Sequence, residues 1–149
     1  MTELPLAELH IERIHPQARL PVQAHPGDLG LDLSTVCDTT LAPGERCAAP
    51  TGLIIHFPSG WGAYIKDRSS LAMRGLHCLA GVIDAGYRGE IKVLIINLGS
   101  ETQTLRSGDR IAQLIPTPTR AWTVTELSPT ADHARVTDRG VGGFGSTGR

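Results

Sequence analysis

The chain has 149 residues, 19% of them charged, and a formal net charge of −1, which is one domain's worth of sequence and enough to bury a real core. Near-neutrality argues against long nucleic acid held on a basic face, and no apolar run reaches membrane-spanning length. The start, Met1-Thr-Glu-Leu-Pro5, has neither the basic region nor the apolar stretch of a secretory leader, and the three cysteines, Cys37, Cys47 and Cys78, are far apart; reduced thiols and a cytoplasmic protein are expected.

Seventeen glycines and ten prolines divide the chain into short pieces. Alternating or β-branched runs predict strands at Leu9–Ile14, Gly30–Val36, Thr51–Phe57, Trp61–Ile65, Glu90–Asn97, Arg110–Pro116 and Trp122–Thr125. Turn residues separate them at Ala42-Pro-Gly44, Pro58-Ser-Gly60, Ala85-Gly86, Leu98-Gly-Ser100, Ser107-Gly-Asp109 and Pro116-Thr-Pro118. Strands this short and this evenly spaced indicate an all-β sandwich, jelly roll or barrel. One short helix is expected after Asp67, running from Arg68 to Arg74, with Asp67 as its cap and Gly75 as its stop. From about Ser128 the composition turns polar and aperiodic, so the domain is expected to span residues 1–127, with a flexible, glycine-rich arm over 128–149.

Four places along the domain carry chemistry. A helix starting at Arg68-Ser-Ser70 presents free N–H groups, a guanidinium and two hydroxyls, a combination that suits phosphate; an ordinary capped turn would look the same. Asp84, in Gly81-Val-Ile-Asp84-Ala-Gly-Tyr87, sits between an apolar strand end and a glycine turn, where a general base is well placed. Tyr87 can pack on a sugar, although an Asp that caps its own turn beside an edge tyrosine is the plainer alternative. Asp32, flanked by Leu31 and Leu33, projects to the face opposite them and is otherwise a solvated strand residue. Gln113 lies within an apolar strand, and its amide needs a partner from neighbouring backbone or from a phosphate.

The last stretch, Arg139-Gly-Val-Gly-Gly-Phe-Gly-Ser-Thr-Gly148, reads as an arm that closes over a nucleotide. Its glycines let backbone wrap closely; Arg139, Ser146 and Thr147 suit phosphate oxygens, and Phe144 offers a face for a base. Gly143 to Gly148 also fits G-x-G-x-x-G, but a dinucleotide fold needs a helix after that motif, and only Arg149 follows.

In this order, the set resembles the trimeric dUTP diphosphatase (dUTPase) family over nearly the whole chain. The five motifs of that family are matched by Gly30-Leu-Asp-Leu-Ser34, Arg68-Ser-Ser-Leu-Ala72, Gly81-Val-Ile-Asp-Ala-Gly-Tyr-Arg-Gly89, Gly108-Asp-Arg-Ile-Ala-Gln113 and Arg139 to Gly148. The resemblance implies a jelly-roll-like β subunit in a homotrimer, with sites at subunit interfaces and the arm of one subunit closing a site built by others. It implies hydrolysis of dUTP to dUMP and pyrophosphate, keeping uracil out of DNA and supplying dUMP for dTTP synthesis. In that scheme Asp84 is the base that activates water against the α-phosphorus, and Asp32 holds Mg²⁺ through water. Arg68, Ser69, Ser70 and Gln113 bind phosphate, and Arg139, Ser146 and Thr147 clamp the γ-phosphate. Gly81, Val82, Ile83 and Lys92 read the uracil edge, Tyr87 packs on deoxyribose, and Phe144 stacks over uracil. Neither nucleic acid nor membrane is an implied partner. Ser70 replaces the glycine usual in the second motif, Leu29 stands where Ala or Ser is common, and the asparagine of many bacterial uracil hairpins is absent near Cys78.

Three alternatives compete with this reading. The Arg-Ser-Ser-Leu-Ala form also resembles dCTP deaminases, whose strand after the Gly-x-Ile-Asp motif carries a glutamate; Leu94 occupies that place here. A zinc deaminase would need a P-C-x-x-C after His10-Ile-Glu12, and none follows. An inactive member acting as a regulatory module would be expected to have lost the base, a phosphate arginine or the arm, and Asp84, Arg68, Arg139 and Phe144 are all retained.

Overall fold

A computed structural model describes residues 8–127; the expected arm, with Arg139, Phe144, Ser146 and Thr147, lies outside the described residues. The described part is all-β apart from one short helix. In chain order the strands are β1 (His10–Arg13), β2 (Leu31–Ser34), β3 (Thr39–Leu41), β4 (Arg46–Pro50), β5 (Leu53–His56), β6 (Trp61–Lys66), β7 (Leu76–Leu79), β8 (Val82–Ile83), β9 (Lys92–Asn97), β10 (Gln103–Leu105) and β11 (Arg110–Pro118), with α1 (Ser69–Ala72) between β6 and β7. Among the described residues no helix is long and apolar enough to cross a membrane.

All the strand pairs are antiparallel. The largest sheet runs β2-β11-β6-β8; a second runs β4-β9-β7, and β1-β5 and β3-β10 form two-stranded ribbons. Alternation decides which side chains enter the core. In β9, Val93, Ile95 and Asn97 are buried while Lys92 is exposed; in β6, Ala63 and Ile65 are buried while Tyr64 and Lys66 face out. The core is overwhelmingly aliphatic: Leu33, Leu53, Ile55, Leu76, Ile91, Val93, Ile95, Leu105, Ile111 and Leu114 are almost wholly enclosed.

Six of the expected strands form, five further strands (β3, β4, β7, β8 and β10) form outside the expected runs, and three other details differ. Trp122–Thr125 is not a strand: no described strand pairs with it, and its Trp122 and Val124 side chains are exposed. Pro116-Thr-Pro118 is not a turn but the end of β11, in register with Ala63, Gly62 and Trp61 of β6. Thr119 N–H donates to the Gly60 carbonyl (2.7 Å), so the alternate positions, Pro116 and Pro118, direct their missing donors away from β6. On that side β2 pairs only as far as Leu114, and the absent N–H groups cost no ladder bond. Third, Asp67 does not cap the helix. The N-cap residue is Arg68, in extended backbone with no side-chain cap bond, and α1 is one turn long. Gly75 does end it, at φ +82°, where a Cβ would lie 2.6 Å from the Gly99 nitrogen.

One buried polar side chain ties the end of β9 to the chain around it. Asn97 is fully buried; its amide donates to the Leu41 carbonyl (2.9 Å) and the Glu101 carbonyl (2.8 Å) and accepts from Gly99 N–H (2.9 Å). Asn97→Leu keeps the volume but strands three backbone groups, so it is expected to cost about 3 kcal/mol. Urea unfolding of the two proteins checks this; a midpoint unchanged by the substitution would contradict it.

Candidate active site

The turn after β7 builds the first half of the site. Ala80 and Gly81 both adopt left-handed backbone (φ 56° and 85°), and the chain folds against β6. Gly81 accepts from Ile65 N–H through its carbonyl (2.7 Å), and a Cβ on Gly81 would stand 2.7 Å from the Ile65 oxygen. Only glycine allows that approach. β8 then pairs for two residues with β6, Ile83 opposite Ala63 and Val82 opposite Tyr64. Asp84 follows directly. Its turn closes through main chain, Tyr87 N–H donating to the Asp84 carbonyl (3.0 Å), and the Asp84 side chain is left exposed. Tyr87 is fixed by donation from its hydroxyl to the Glu90 carbonyl (3.0 Å), and its ring lies across Gly89 where any Cβ would collide.

Gly81, Val82, Ile83, Asp84, Tyr87 and Lys92 line one cavity of about 240 Å³, together with Ile65, Glu90 and Leu94. The expected base, sugar and uracil-edge residues therefore meet in one place. Leu94 is the apolar wall at the position where a deaminase would carry an acid. Glu90 does bring a carboxylate to the cavity, but it is engaged: one oxygen accepts Gly52 N–H (2.9 Å) and the other lies 3.7 Å from Lys92 Nζ.

The second half lies at the start of α1. Asp32, Arg68, Ser69, Ser70 and Gln113 line a strongly polar cavity of about 400 Å³, together with Arg110, His25 and Asp28. Asp32 is not a solvated strand residue. Its side chain is only 11% exposed and is held by two guanidinium groups, Arg68 Nε at 2.9 Å and Arg110 Nη1 at 3.0 Å. Ser69 and Ser70, both exposed, line the opening. Gln113 finds its partner in backbone: Nε2 donates to the Asp67 carbonyl (3.1 Å). Its Oε1 packs so close to Gly30 that a Cβ there would lie 2.6 Å away.

Asp67, turned away from the helix, uses its carboxylate on β7. It accepts Cys78 N–H (2.6 Å) and pairs with His77 Nδ1 (2.8 Å). Burial opposes its ionisation, but the bonds from Cys78 and His77 outweigh this and hold its carboxyl below the usual range. Burial and the neighbouring Asp67 push the Cys78 thiol up to about 12, so it stays protonated and unreactive at neutral pH.

The two cavities share no lining residue, and the sheet sets their separation. Asp32 is in register with Gln113 and Lys66, whereas Ile83 is opposite Ala63, three residues back along β6. Three strand spacings and three residue rises place Ile83 roughly 17 Å from Asp32, and Asp84 steps further out. One chain's Asp84 and Asp32 cannot reach the same phosphorus. Arg110 and Glu90 also line these cavities without having stood out in the sequence; an arginine two register steps from Asp32 on the paired strand is the one signal that offered a lead.

Comparison with known proteins shows the family. The family model described as dUTPase matches residues 16–148. The deoxyuridine 5'-triphosphate nucleotidohydrolase of Thermobifida fusca is 47% identical over 144 residues, covering 94% of this chain and 78% of that protein. The enzyme of the same name from Clostridium kluyveri is 44% identical over 144 residues, covering 95% and 98%. Among solved structures, the dUTPase of Staphylococcus bacteriophage 80alpha with dUPNHPP superposes with a TM-score of 0.81 at 26% identity, over 95% of this chain and 99% of that one. With its jelly-roll-like fold and its motifs matched along almost its whole length, the chain belongs to the dUTPase family.

Proposed function

We propose that this protein hydrolyses dUTP to dUMP and pyrophosphate in the cytoplasm, limiting uracil incorporation into DNA and supplying dUMP for dTTP synthesis. The observation that carries the proposal is the pair of half-sites: a hairpin pocket with one exposed carboxylate, and a polar pocket with arginine, two hydroxyls and an amide.

The base enters the hairpin pocket against the backbone of Gly81, Val82 and Ile83, with Lys92 at its edge. Tyr87, rigid over Gly89, packs on the deoxyribose and fills the space a 2′-hydroxyl would need. Asp84 takes a proton from a water that attacks the α-phosphorus in line with the departing pyrophosphate. Arg68, Ser69, Ser70 and Gln113 hold the phosphate oxygens. Asp32 has both oxygens on guanidinium groups but retains lone pairs for outer-shell water. Among the described residues no three His, Cys, Asp or Glu side chains gather as a cage. That donor set fits Mg²⁺, which keeps its waters and needs few protein ligands. When bound, Mg²⁺ would neutralise charge building on the triphosphate. Leu94 and the engaged Glu90 favour hydrolysis over cytosine deamination.

Because one chain's half-sites are too far apart for one nucleotide, we infer that they are completed by other copies in a homotrimer. The outward face of the large sheet, where Tyr64 and Val82 are exposed beside Lys66, is the surface available for that contact. In this proposal residues 1–127 form the catalytic domain. The segment 128–149 acts as the closing arm, with Arg139, Ser146 and Thr147 on the γ-phosphate, Phe144 over uracil, and water excluded beneath.

Pyrophosphate release from dUTP, dCTP, dTTP and UTP, with Mg²⁺ and with EDTA, tests the function. Fast, metal-dependent release from dUTP alone is expected, and ammonia from dCTP would overturn it. Asp84→Asn is expected to lower kcat by about 10²- to 10⁴-fold while dUTP still binds; near-normal turnover would remove Asp84 from the mechanism. Asp32→Ala is expected to raise the Mg²⁺ concentration needed for half-maximal rate, and an unchanged metal titration would dismiss that role. Truncation after Thr137 is expected to abolish most turnover and leave the assembly intact; a monomer on a sizing column would make the segment structural.

A further inference from the structure

We propose that Asp67 is a positioning residue for this reaction, holding the phosphate-binding start of α1 in fixed relation to the hairpin that carries Asp84; the inference rests on the assignment of dUTP hydrolysis above. Asp67 lines neither cavity, and it does not cap the helix it precedes. Its carboxylate and its carbonyl are nevertheless both committed, one to each half-site. Its carboxylate accepts Cys78 N–H at 2.6 Å and pairs with His77 at 2.8 Å, both on β7. Its carbonyl accepts the Gln113 amide at 3.1 Å. Its peptide bond leads into Arg68, whose guanidinium meets Asp32 at 2.9 Å. One residue thus joins the chain that enters the hairpin to both main phosphate-facing side chains.

The hairpin needs such an anchor. β7 ends at Leu79, and the next two residues, Ala80 and Gly81, are both left-handed. A left-handed alanine costs free energy and persists only where its surroundings over-determine it. The clamp on Cys78 fixes the strand two residues before that point, and the Ile65–Gly81 bond fixes it one residue after. Loosening the first lets Asp84 drift relative to the sheet. Its two bonds are short and charge-assisted, the strong class of hydrogen bond. Asp67 also ties together half-sites that, in a trimer, serve different nucleotides, so its loss would disturb two sites for every chain.

An amide can replace this clamp and a methyl cannot. Asn at position 67 still accepts Cys78 N–H through its oxygen and can donate to His77 Nδ1 through its NH₂. The test is steady-state hydrolysis of dUTP by wild type, Asp67→Ala and Asp67→Asn, normalised to folded trimer and run well below the unfolding temperature. A misplacement of about 1 Å can cost on the order of 10²-fold, so Asp67→Ala is expected to lose about 10- to 100-fold in kcat with little change in KM. Asp67→Asn is expected to recover most of that loss. A merely structural residue would lower the unfolding temperature and leave kcat per folded trimer alone; that outcome overturns the proposal, as does an Asn variant no better than Ala. If Asp67→Ala does not fold, His77→Ala removes half the clamp and is expected to show a smaller, kcat-specific loss, with unchanged kcat overturning it. Wild type that fails to hydrolyse dUTP overturns the function itself, a result distinct from either.

Discussion

The backbone ladder of the sheet β2-β11-β6-β8 is the constraint on which the rest depends. It sets Asp32 at one edge and the Asp84 turn beyond the other, and its register offsets them along the strands as well. No rotamer change bridges that span. A fold with this ladder either performs two separate tasks on one chain or completes each pocket with a second copy. Membership of the dUTPase family and the disjoint cavities both favour the second arrangement. The β11 prolines fit within the same ladder, since they occupy the positions whose donors it does not require.

Charge is handled differently in the two halves. In the hairpin pocket Asp84 stands exposed with its turn closed by main chain alone, so the carboxylate is free for a water. In the second cavity Asp32 is compensated twice, by Arg68 and Arg110, so its own charge is masked from an anion there. Asp67 is the third acid, committed by His77 and Cys78 to architecture rather than to the chemical step. Three carboxylates of the same intrinsic chemistry thus stand in three environments that their neighbours decide.

Local chemistry was legible in the sequence, and register was not. Gly81-Val-Ile-Asp84 could be read because its turn is made by adjacent residues, and Gly75 because a left-handed helix stop needs glycine. The reason for Gly30 lay far along the chain, in the Gln113 side chain that fills the space of its missing Cβ. Arg110 became a site residue only once β11 paired with β2. β4, Arg46-Cys-Ala-Ala-Pro50, has little strand propensity and forms because β9 pairs with it. Trp122–Thr125 has the propensity but no described partner, so it forms no strand. Asp67 looked like a helix cap by position, and its carboxylate instead found two stronger donors on β7.

The central claim is that each working site takes its base from one copy and its phosphate pocket from another. Complementation tests it most directly: Asp84→Asn chains and Arg68→Ala chains, each inactive alone, are unfolded, mixed, refolded together and assayed for pyrophosphate release from dUTP. The account predicts that the mixture recovers a substantial share of wild-type turnover, since some sites then combine an intact Asp84 with an intact Arg68 from different chains. A mixture that co-assembles, as shown by a tag on one variant capturing the other, and yet stays as inactive as its parents would contradict it.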